Sequence, residues 1–504
     1  MSAPKDMDIE NVLKKFNLRS PYYIKLFSLL LFAGSLNAMH CVQYVFIISD
    51  VKYRCNEPYF ENNTYDDRCH RIDKETNKSV KCTEWKYEDP NAFFSEFNLA
   101  CQDWKRLFVA TVHCFGYMIG LLIIGPLADK FGRKILIITT GLVAAFMGLG
   151  RSVVYSYWLY IVLELIEAMF GDPYSTTYML GVEMVTKENR VTFIAIMTAV
   201  TSLAGILMAV IAWAVPYWRT FLLVIYAPAL LILLYPFLLD ESLRWLLITG
   251  RKEKAENIIK SAAKMDNINI SEVCSENIYC EKAPKVNISM AKIFKITFSS
   301  RTLLLRFAAC VCMWTTGLFS KYTLLMNSVE LEGNKYLNFG LMKFCELPAS
   351  VVLCLVLKRF ERKKPLIFSF LLTGVFCVSQ SFVPKDEILL TTSLFLLGKF
   401  MATISYEIIY LYTSELFPTY LRNTMHSLCS SLGRTAAMLA TQTPLLATYW
   451  YGLPSLLIGL SSTLTGVIVI MMPDTADDIL PDTVKDAENI GHKGNNNKIE
   501  NTSI

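Results

Sequence analysis

Charged residues are scarce in this sequence. Only 18% of its 504 residues are charged, whereas soluble domains carry about a quarter. Hydrophobic residues make up 53%, and the mean hydropathy is +0.36. The net charge of +5 is small for this length and does not indicate a nucleic-acid partner. This composition favours a chain whose main solvent is lipid.

Motifs of enzymes and cofactor-binding proteins are absent as well. The sequence contains no GxxxxGK[ST] phosphate-binding loop, which excludes that route to ATP-driven work. Its five histidines are scattered without metal-ligand spacing, and there is no nucleophile elbow. We therefore expect no enzymatic activity, no metal and no cofactor.

Long apolar runs, in contrast, fill most of the chain. A helix needs roughly 20 apolar residues to cross about 30 Å of hydrocarbon. Twelve runs meet this requirement, at 22–47, 107–127, 134–151, 157–184, 191–213, 218–239, 303–327, 336–357, 365–383, 388–412, 423–447 and 452–472. The sequence therefore predicts an all-α protein that crosses a lipid bilayer twelve times.

Polar stretches divide the runs into two sets of six. We expect five regions: an N-terminal segment 1–21, a first six-helix bundle 22–239, a connector 240–301, a second bundle 302–473 and a disordered tail 474–504. The first bundle includes a long polar loop, 48–106. Two paired halves of this kind usually enclose a site near the bilayer midplane.

The first run, 22–47, has a second interpretation as a cleaved signal peptide. It is too long for one and has no convincing small-residue cleavage site. Asn37, His40 and Tyr44 are spaced i, i+3 and i+7, which predicts a polar helix stripe facing a wet cavity. We interpret the run as the first transmembrane helix, with Asn37 and His40 as candidate binding residues.

Loop charges predict the orientation. Lysine and arginine concentrate in the connections 130–134, 187–190 and 358–364, while the opposite connections have few cations. Because short cytoplasmic loops are enriched in these residues, both termini are predicted to be cytosolic.

The same orientation places the polar loop 48–106 outside the cell. Its four cysteines predict two disulfides, and three pairings are possible; they are Cys55, Cys69, Cys82 and Cys101. Glycosylation sequons begin at Asn62 and Asn77. Cysteines and sequons agree with an exterior loop independently of the loop charges.

Three charged segments lie at the predicted inner face. Residues 125–134 read GPLADKFGRK between helices 2 and 3, and the glycines permit a tight turn. Residues 240–251 follow helix 6, and residues 414–423 follow helix 10. Exposed ion pairs contribute about 0–1 kcal/mol each, so they can bias a gate without locking it. The candidate gating residues are Asp129, Gly132, Arg133, Glu183, Arg190, Glu241, Arg244, Glu415 and Arg422.

Four features together resemble the organic cation/anion/carnitine transporter family, solute carrier family 22 of the major facilitator superfamily. They are the cysteine loop, the turn at 125–134, ESLRWLLITGR at 241–251 and ELFPTYLRN at 415–423. The resemblance covers nearly the whole chain. It implies the major facilitator fold, with two six-helix bundles, and alternating-access transport of a small organic ion by a monomer in the plasma membrane. The resemblance leaves open whether a second ion is counter-transported or co-transported.

The chain departs from the family pattern at the inner face. Asp240 stands where the family often has proline. In the second-half turn, 358–363 reads KRFERK, with lysine and glutamate where aspartate and glycine are usual. The resemblance therefore predicts a gate that differs between the halves. It also leaves a transport-inactive sensor as an alternative.

Charges at membrane depth indicate the substrate site, since each costs about 2.5–3.5 kcal/mol on insertion scales. Arg434 lies roughly 16 Å into helix 11, at 1.5 Å per residue. Cation-preferring members of the resembled family carry aspartate there, whereas anion and carnitine members carry arginine. A guanidinium binds a carboxylate bidentately. The alternative is that Arg434 neutralises Glu346 or Glu407.

The remaining candidates surround this position. Lys321 is either a second anion contact or a side chain that reaches for the membrane surface. Ser350 stands where anion members carry lysine, which weakens the anion assignment. The first half contributes Glu164, Glu167 and Asp172 at membrane depth. Glu167 or Asp172 either faces the ammonium of a zwitterion or pairs structurally. The further candidate contacts are Phe319, Tyr322, Lys399 and Tyr406. An organic anion or a carnitine-like zwitterion is favoured, with an organic cation as the alternative.

Overall fold

The protein was analysed as a computed structural model, which describes residues 7–55, 69–72, 79–268, 278–279, 300–384, 386–417 and 419–474. Ten helices within these ranges are long and apolar enough to cross a membrane. The predicted glycosylation sites Asn62 and Asn77 and the tail from 475 lie outside the described residues.

The first half supplies six membrane-length segments, α1 to α6. Their bounds are Pro21–His40 (α1), Asp103–Phe131 (α2), Arg133–Ser152 (α3), Tyr157–Phe170 with Tyr174–Met184 (α4), Arg190–Ala214 (α5), and Trp218–Tyr226 continued by Ala227–Leu234 and Tyr235–Leu238 (α6). The middle piece of α6 is a 3₁₀ helix, and another 3₁₀ turn, Lys187–Asn189, precedes α5.

The second half supplies α7 to α12. Their bounds are Arg301–Asn327 (α7), Lys335–Phe344 with Glu346–Arg359 (α8), Lys363–Ser381 (α9), Ile388–Leu416 (α10), Thr419–Ala440 (α11) and Leu453–Ile470 (α12). The predicted all-α architecture of twelve segments is confirmed.

Two segments are interrupted. α4 breaks at Gly171-Asp172-Pro173, where a side chain on Gly171 would come within 2.5 Å of the Glu167 carbonyl oxygen. Proline adds to the break because it has no N–H to donate. α8 is divided at Cys345, so that Glu346 begins its second piece. Both interruptions lie at segments that carry charged residues in the membrane.

Short elements cover the two ends of the molecule. The short helices are Ile9–Lys14, Tyr44–Ile47, Phe93–Glu96, Leu243–Ile248, Lys252–Met265 and Thr443–Ala447. The strands are β1 Met7–Asp8, β2 Tyr53–Cys55, β3 His70–Ile72, β4 Ser79–Lys81, β5 Trp85–Tyr87 and β6 Ile278–Tyr279. β2 pairs with β5 and β3 with β4, both antiparallel, whereas β1 pairs with β6 in parallel.

The cysteine loop contains two disulfides, which join Cys55 to Cys82 and Cys69 to Cys101. This is one of the three pairings that the sequence allows. We call the face that bears this loop the outer face, and the face with the turn at 125–134 the inner face.

Apolar packing joins the two bundles on the outer side. One large cluster of buried residues extends from the first bundle to Leu324–Met326 and Phe339 of the second. The inner part of the second bundle, including Ile408 and Tyr412, forms a separate cluster. Within the part of the chain that the structure describes, the shared apolar cluster therefore joins the two bundles at the outer face.

Polar contacts also join the bundles on the outer side. The Arg106 guanidinium lies 3.4 Å from the Glu330 carboxylate, and Thr111 contacts the Thr441 hydroxyl at 2.8 Å. We call Arg106 and Glu330 the outer ion pair. Each ion pair that the structure describes at the inner face joins residues of the same half. Among the described residues, these polar contacts between the two bundles therefore lie at the outer face.

Candidate functional site

A cavity of about 260 Å³ lies between the two bundles near the middle of the membrane. The first bundle contributes α1, α2, α4 and α5 to its wall, and the second contributes α7, α8 and α10. Six of the predicted binding residues line it: Asn37, Lys321, Tyr322, Glu346, Lys399 and Tyr406. The structure therefore brings together residues that lie far apart in the sequence.

Glu346 is held by two lysines. Its carboxylate lies 3.0 Å from the ammonium of Lys399 and 3.3 Å from that of Lys343. Ser202 of the first bundle also donates to it, at 3.4 Å. Lys399 is 4% exposed, so its charge would be costly without this partner. Glu346 is consequently a neutralised carboxylate rather than a free one.

Lys321 faces the cavity instead of reaching for the membrane surface. Its ammonium lies 4.4 Å from the ring centroid of Tyr406, at the distance of a cation–π contact. The Tyr406 hydroxyl contacts that of Tyr410 at 3.2 Å. Among the residues that the structure describes, no carboxylate forms an ion pair with Lys321. Its charge acts electrostatically on the nearby Glu346 and Glu407 carboxylates, and its ammonium faces the cavity, where it can contact a bound solute.

Arg434 lies beside the cavity on α11 and is 8% exposed. The guanidinium carbon stands 4.6 Å from the ring centroid of Tyr117, which lines the cavity. Tyr322 and Tyr406 also interact with it electrostatically. No ion pair to Arg434 occurs within the described part of the chain, and its Nε has no hydrogen-bond partner there. The predicted alternative of pairing with Glu346 is therefore not met in this structure.

Two predicted contacts lie elsewhere. His40 is buried against α6, where it stacks on Tyr226 at a centroid distance of 4.0 Å and contacts the Ile225 carbonyl oxygen at 3.0 Å. Phe319 packs against the large apolar cluster and does not line the cavity. α1 and α7 contact other helices on several sides. His40 and Phe319 therefore face different neighbours from Asn37 and Lys321, although they are only two or three residues away.

Several cavity residues were not among the predicted contacts. Lys343 precedes Glu346 by three residues, which places both on one helix face and could have indicated the pair. Glu407 is exposed to the cavity. His113 and Tyr117 also line it and are four residues apart on α2. No spacing in the sequence relates these two to Arg434.

The acids of α4 belong to a separate cluster inside the first bundle. Glu164 contacts His113 Nδ1 at 2.7 Å and also contacts the Arg151 guanidinium. Glu167 lies 3.5 Å from Arg151 and accepts a hydrogen bond of 3.3 Å from the Tyr226 hydroxyl. We call His113, Arg151, Glu164 and Glu167 the buried cluster. Both acids are thus paired within the protein.

At the inner face, the turn 125–134 is held by acidic side chains. Arg133 contacts Asp129 at 2.8 Å and Glu183 at 3.0 Å. Glu241 accepts the backbone N–H groups of Arg133 and Lys134 at 2.9 and 3.1 Å. Burial raises the pKa of the Glu241 carboxyl, and these backbone hydrogen bonds oppose that rise.

The other predicted gating residues lie close to this turn. The Arg244 guanidinium contacts Glu10 at 2.7 Å and donates to the backbone carbonyl of Glu183 at 3.0 Å. Arg190 begins α5 and interacts electrostatically with Arg244, Glu10 and Glu183. Gly132 has a φ of +107°, a backbone conformation that residues with a side chain rarely adopt. All of the contacts described here for this turn join residues of the first half of the molecule.

The second half repeats part of this arrangement despite its altered turn. Arg362 contacts Glu415 at 3.4 Å, as Arg133 contacts Glu183. Arg362 also donates to the carbonyl five residues before it, Leu357, as Arg133 does to its own neighbour. The side chain of Arg422 lies outside those described. The predicted difference between the halves is therefore partial.

Comparisons with known proteins agree with this architecture. Residues 60–480 match the Sugar (and other) transporter family. The Organic cation transporter protein of Drosophila melanogaster is 27% identical over 97% of this chain and 96% of its own. Solute carrier family 22 member 3 of Mus musculus is 30% identical over 82% of this chain and 75% of its own.

Solved structures show the same fold. The partially occluded, inward-open xylose transporter XylE of E. coli covers 92% of this chain and all of its own, with a TM-score of 0.63 and 14% identity. Family and fold neighbours are transporters rather than enzymes. The described chain is therefore a multi-pass membrane protein and a secondary transporter of the major facilitator type. It belongs to the Sugar (and other) transporter family and, within it, to solute carrier family 22.

Proposed function

We propose that this protein transports a small organic anion, or a carnitine-like zwitterion, by alternating access. The observation that carries the proposal is the excess of positive charge at the cavity. Four cations at or beside it, Lys321, Lys343, Lys399 and Arg434, face two carboxylates, Glu346 and Glu407. A solute with a carboxylate would compensate this excess, whereas a bare cation would add to it.

The pairing of these charges supports the same proposal. Glu346 is engaged by two lysines, so a cationic solute would have to displace one of them. Lys321 and Arg434 have no carboxylate partner in the described structure. A solute carboxylate would bind these two groups, since charge-assisted hydrogen bonds are the stronger ones in proteins. Its apolar part would pack on Tyr322 and Tyr406.

An organic cation is the second candidate because the relatives named above include an organic cation transporter. Glu407 favours it, since this carboxylate faces the cavity and has no ion pair among the described residues. A zwitterion would satisfy both observations, with its ammonium at Glu407 and its carboxylate at Arg434. The proposal also includes cytosolic termini, a plasma-membrane location and function as a monomer.

Uptake by purified protein in liposomes tests the proposal. Labelled monocarboxylate, carnitine-like zwitterion and quaternary ammonium would be compared at equal concentration, with empty liposomes as the blank. We expect saturable uptake of the first or second solute and a loss of at least tenfold in Lys321→Gln. Lys321→Arg, which keeps the charge, and the exposed Lys260→Gln are the controls.

Preference for the quaternary ammonium would overturn the anion assignment. Absence of saturable uptake for all three solutes would overturn transport of these solutes itself and favour a sensor.

A further inference from the structure

The buried cluster has no role in the binding mode proposed above. Glu164 and Arg151 are completely buried, and Glu167 is 3% exposed. A single guanidinium can neutralise only one of the two carboxylates. With His113 neutral, the cluster therefore carries one uncompensated negative charge in a water-poor environment, which is costly. A single additional proton makes it neutral.

Polar atoms in the cluster also lack partners. Glu167 Oε2 and Gln43 Oε1 are buried and have no hydrogen-bond partner among the described residues. The Gln43 amide nitrogen donates to Glu164 at 3.2 Å, which places Gln43 next to the cluster. Arg151 Nε and Nη1 are also buried without a hydrogen-bond partner among the described residues, so the polar atoms of the cluster are incompletely paired.

His113 connects the cluster to the cavity. Its ring lines the cavity, while its Nδ1 lies 2.7 Å from Glu164 and 3.9 Å from Glu167. A proton from cavity water can therefore reach the carboxylates through one imidazole.

The substrate site lies one helical turn away. Tyr117 follows His113 by four residues on α2, so both project from the same helix face. Arg434 of the second bundle stacks on Tyr117 at 4.6 Å. When a solute carboxylate neutralises Arg434, positive charge near the cluster decreases, and proton binding becomes more favourable. Reciprocally, a bound proton favours the anion.

The charged and titratable groups around His113 come from several elements. They are Tyr44 after α1, Arg151 on α3, Glu164 and Glu167 on α4, and Asp172 at the break of α4. The donor atoms of His113, Glu164 and Glu167 lie within 4.8 Å of one another. A divalent metal is disfavoured there because Arg151 contacts both carboxylates.

We infer that the buried cluster is a proton-binding site that couples transport of the organic anion to symport of one proton. The inference rests on the proposed anion function. The proton is shared between His113 and the Glu164–Glu167 carboxylates, enters from the cavity and leaves to the cavity after the molecule has changed face. No bond other than that to the proton is made or broken.

Proteoliposomes with the membrane potential clamped at zero test this coupling. An outside medium one pH unit more acidic should drive wild-type protein to accumulate a labelled monocarboxylate about tenfold, the limit for one proton per anion. Addition of the anion should also move protons inward, as read by a trapped pH dye. Glu164→Gln and Glu167→Gln, which alter the cluster without touching the cavity lining, should abolish accumulation but retain exchange of labelled for unlabelled anion. Glu256→Gln, an exposed acid of the connector, is the control.

The outcomes separate the two proposals. Exchange without pH-driven accumulation in wild-type protein overturns proton coupling and leaves anion transport intact. Accumulation driven by a sodium gradient instead also overturns it. Absence of both exchange and uptake overturns the anion function. If the variants fail to fold, the wild-type dye measurement still decides.

Discussion

Replacing Arg434 by glutamine should weaken transport of carboxylates by one to two orders of magnitude. The guanidinium is 8% exposed and has no acidic partner among the described residues, so its donors are free for a solute. A hydrogen bond to a charged group contributes about 1.5–3 kcal/mol. Since about 1.4 kcal/mol corresponds to a factor of ten, KM should rise about 10- to 150-fold.

Arg434→Asp should reduce carboxylate uptake more than Arg434→Gln does, and it should favour the uptake of cations. It changes the cavity charge by two and removes the excess of positive charge described above. We expect carboxylate uptake to fall to background and uptake of quaternary ammonium, relative to carboxylate, to increase. Initial rates over a concentration series in proteoliposomes measure both changes.

Three controls make the result specific. Arg434→Lys keeps the charge and should lose less than Arg434→Gln, because only the bidentate geometry is lost. Tyr117→Phe keeps the ring under the guanidinium and should change KM less than threefold or so. Arg359→Gln, exposed at the inner loop, should have no effect. If Arg434→Gln leaves KM within about twofold while the melting temperature falls, Arg434 is structural and the assignment is refuted.

Three further changes test the fold. Gly132→Ala should cost about 1–3 kcal/mol, because its φ is +107° and the added methyl group would collide with the Glu241 carboxylate. Gly125→Ala, in open space, should leave the thermal unfolding of the protein unchanged. Arg106→Gln removes the outer ion pair. The rate at which a thiol reagent added from outside labels the cavity cysteine Cys41 should increase several-fold, and an unchanged labelling rate would contradict the role of this ion pair. Cys69→Ser should destabilise the protein by ~2–4 kcal/mol, measured as a lower melting temperature.

The positions of the membrane segments could be predicted because bilayer thickness imposes one length on every spanning helix. The break in α4 also has a local signal, since Gly171-Asp172-Pro173 combines a flexible residue with one that cannot donate. The break in α8 has a related signal, because Pro348 cannot donate a hydrogen bond to the carbonyl of Phe344, four residues before it.

The sequence predicts how deep in the membrane the charged residues of the site lie, but not which of them form ion pairs. Distance along a helix places Glu346, Lys399 and Arg434 near the midplane. Which of them pair depends on how α8, α10 and α11 rotate about their axes, and in a helix buried on most sides the apolar pattern does not report rotation. His40 faces α6 for this reason, although Asn37 faces the cavity. The pairing of the four loop cysteines likewise required coordinates.

The two disulfides alternate along the chain, in the order Cys55, Cys69, Cys82 and Cys101. Any single peptide-bond cleavage between the first and last of them leaves both fragments covalently attached. The loop is also fastened to the first bundle, because Glu96 accepts hydrogen bonds from Trp218 and Arg219 at 2.6 and 2.9 Å. We therefore expect the disulfide-bonded part of the loop to move with the first bundle, so that the second bundle changes its position relative to both during transport.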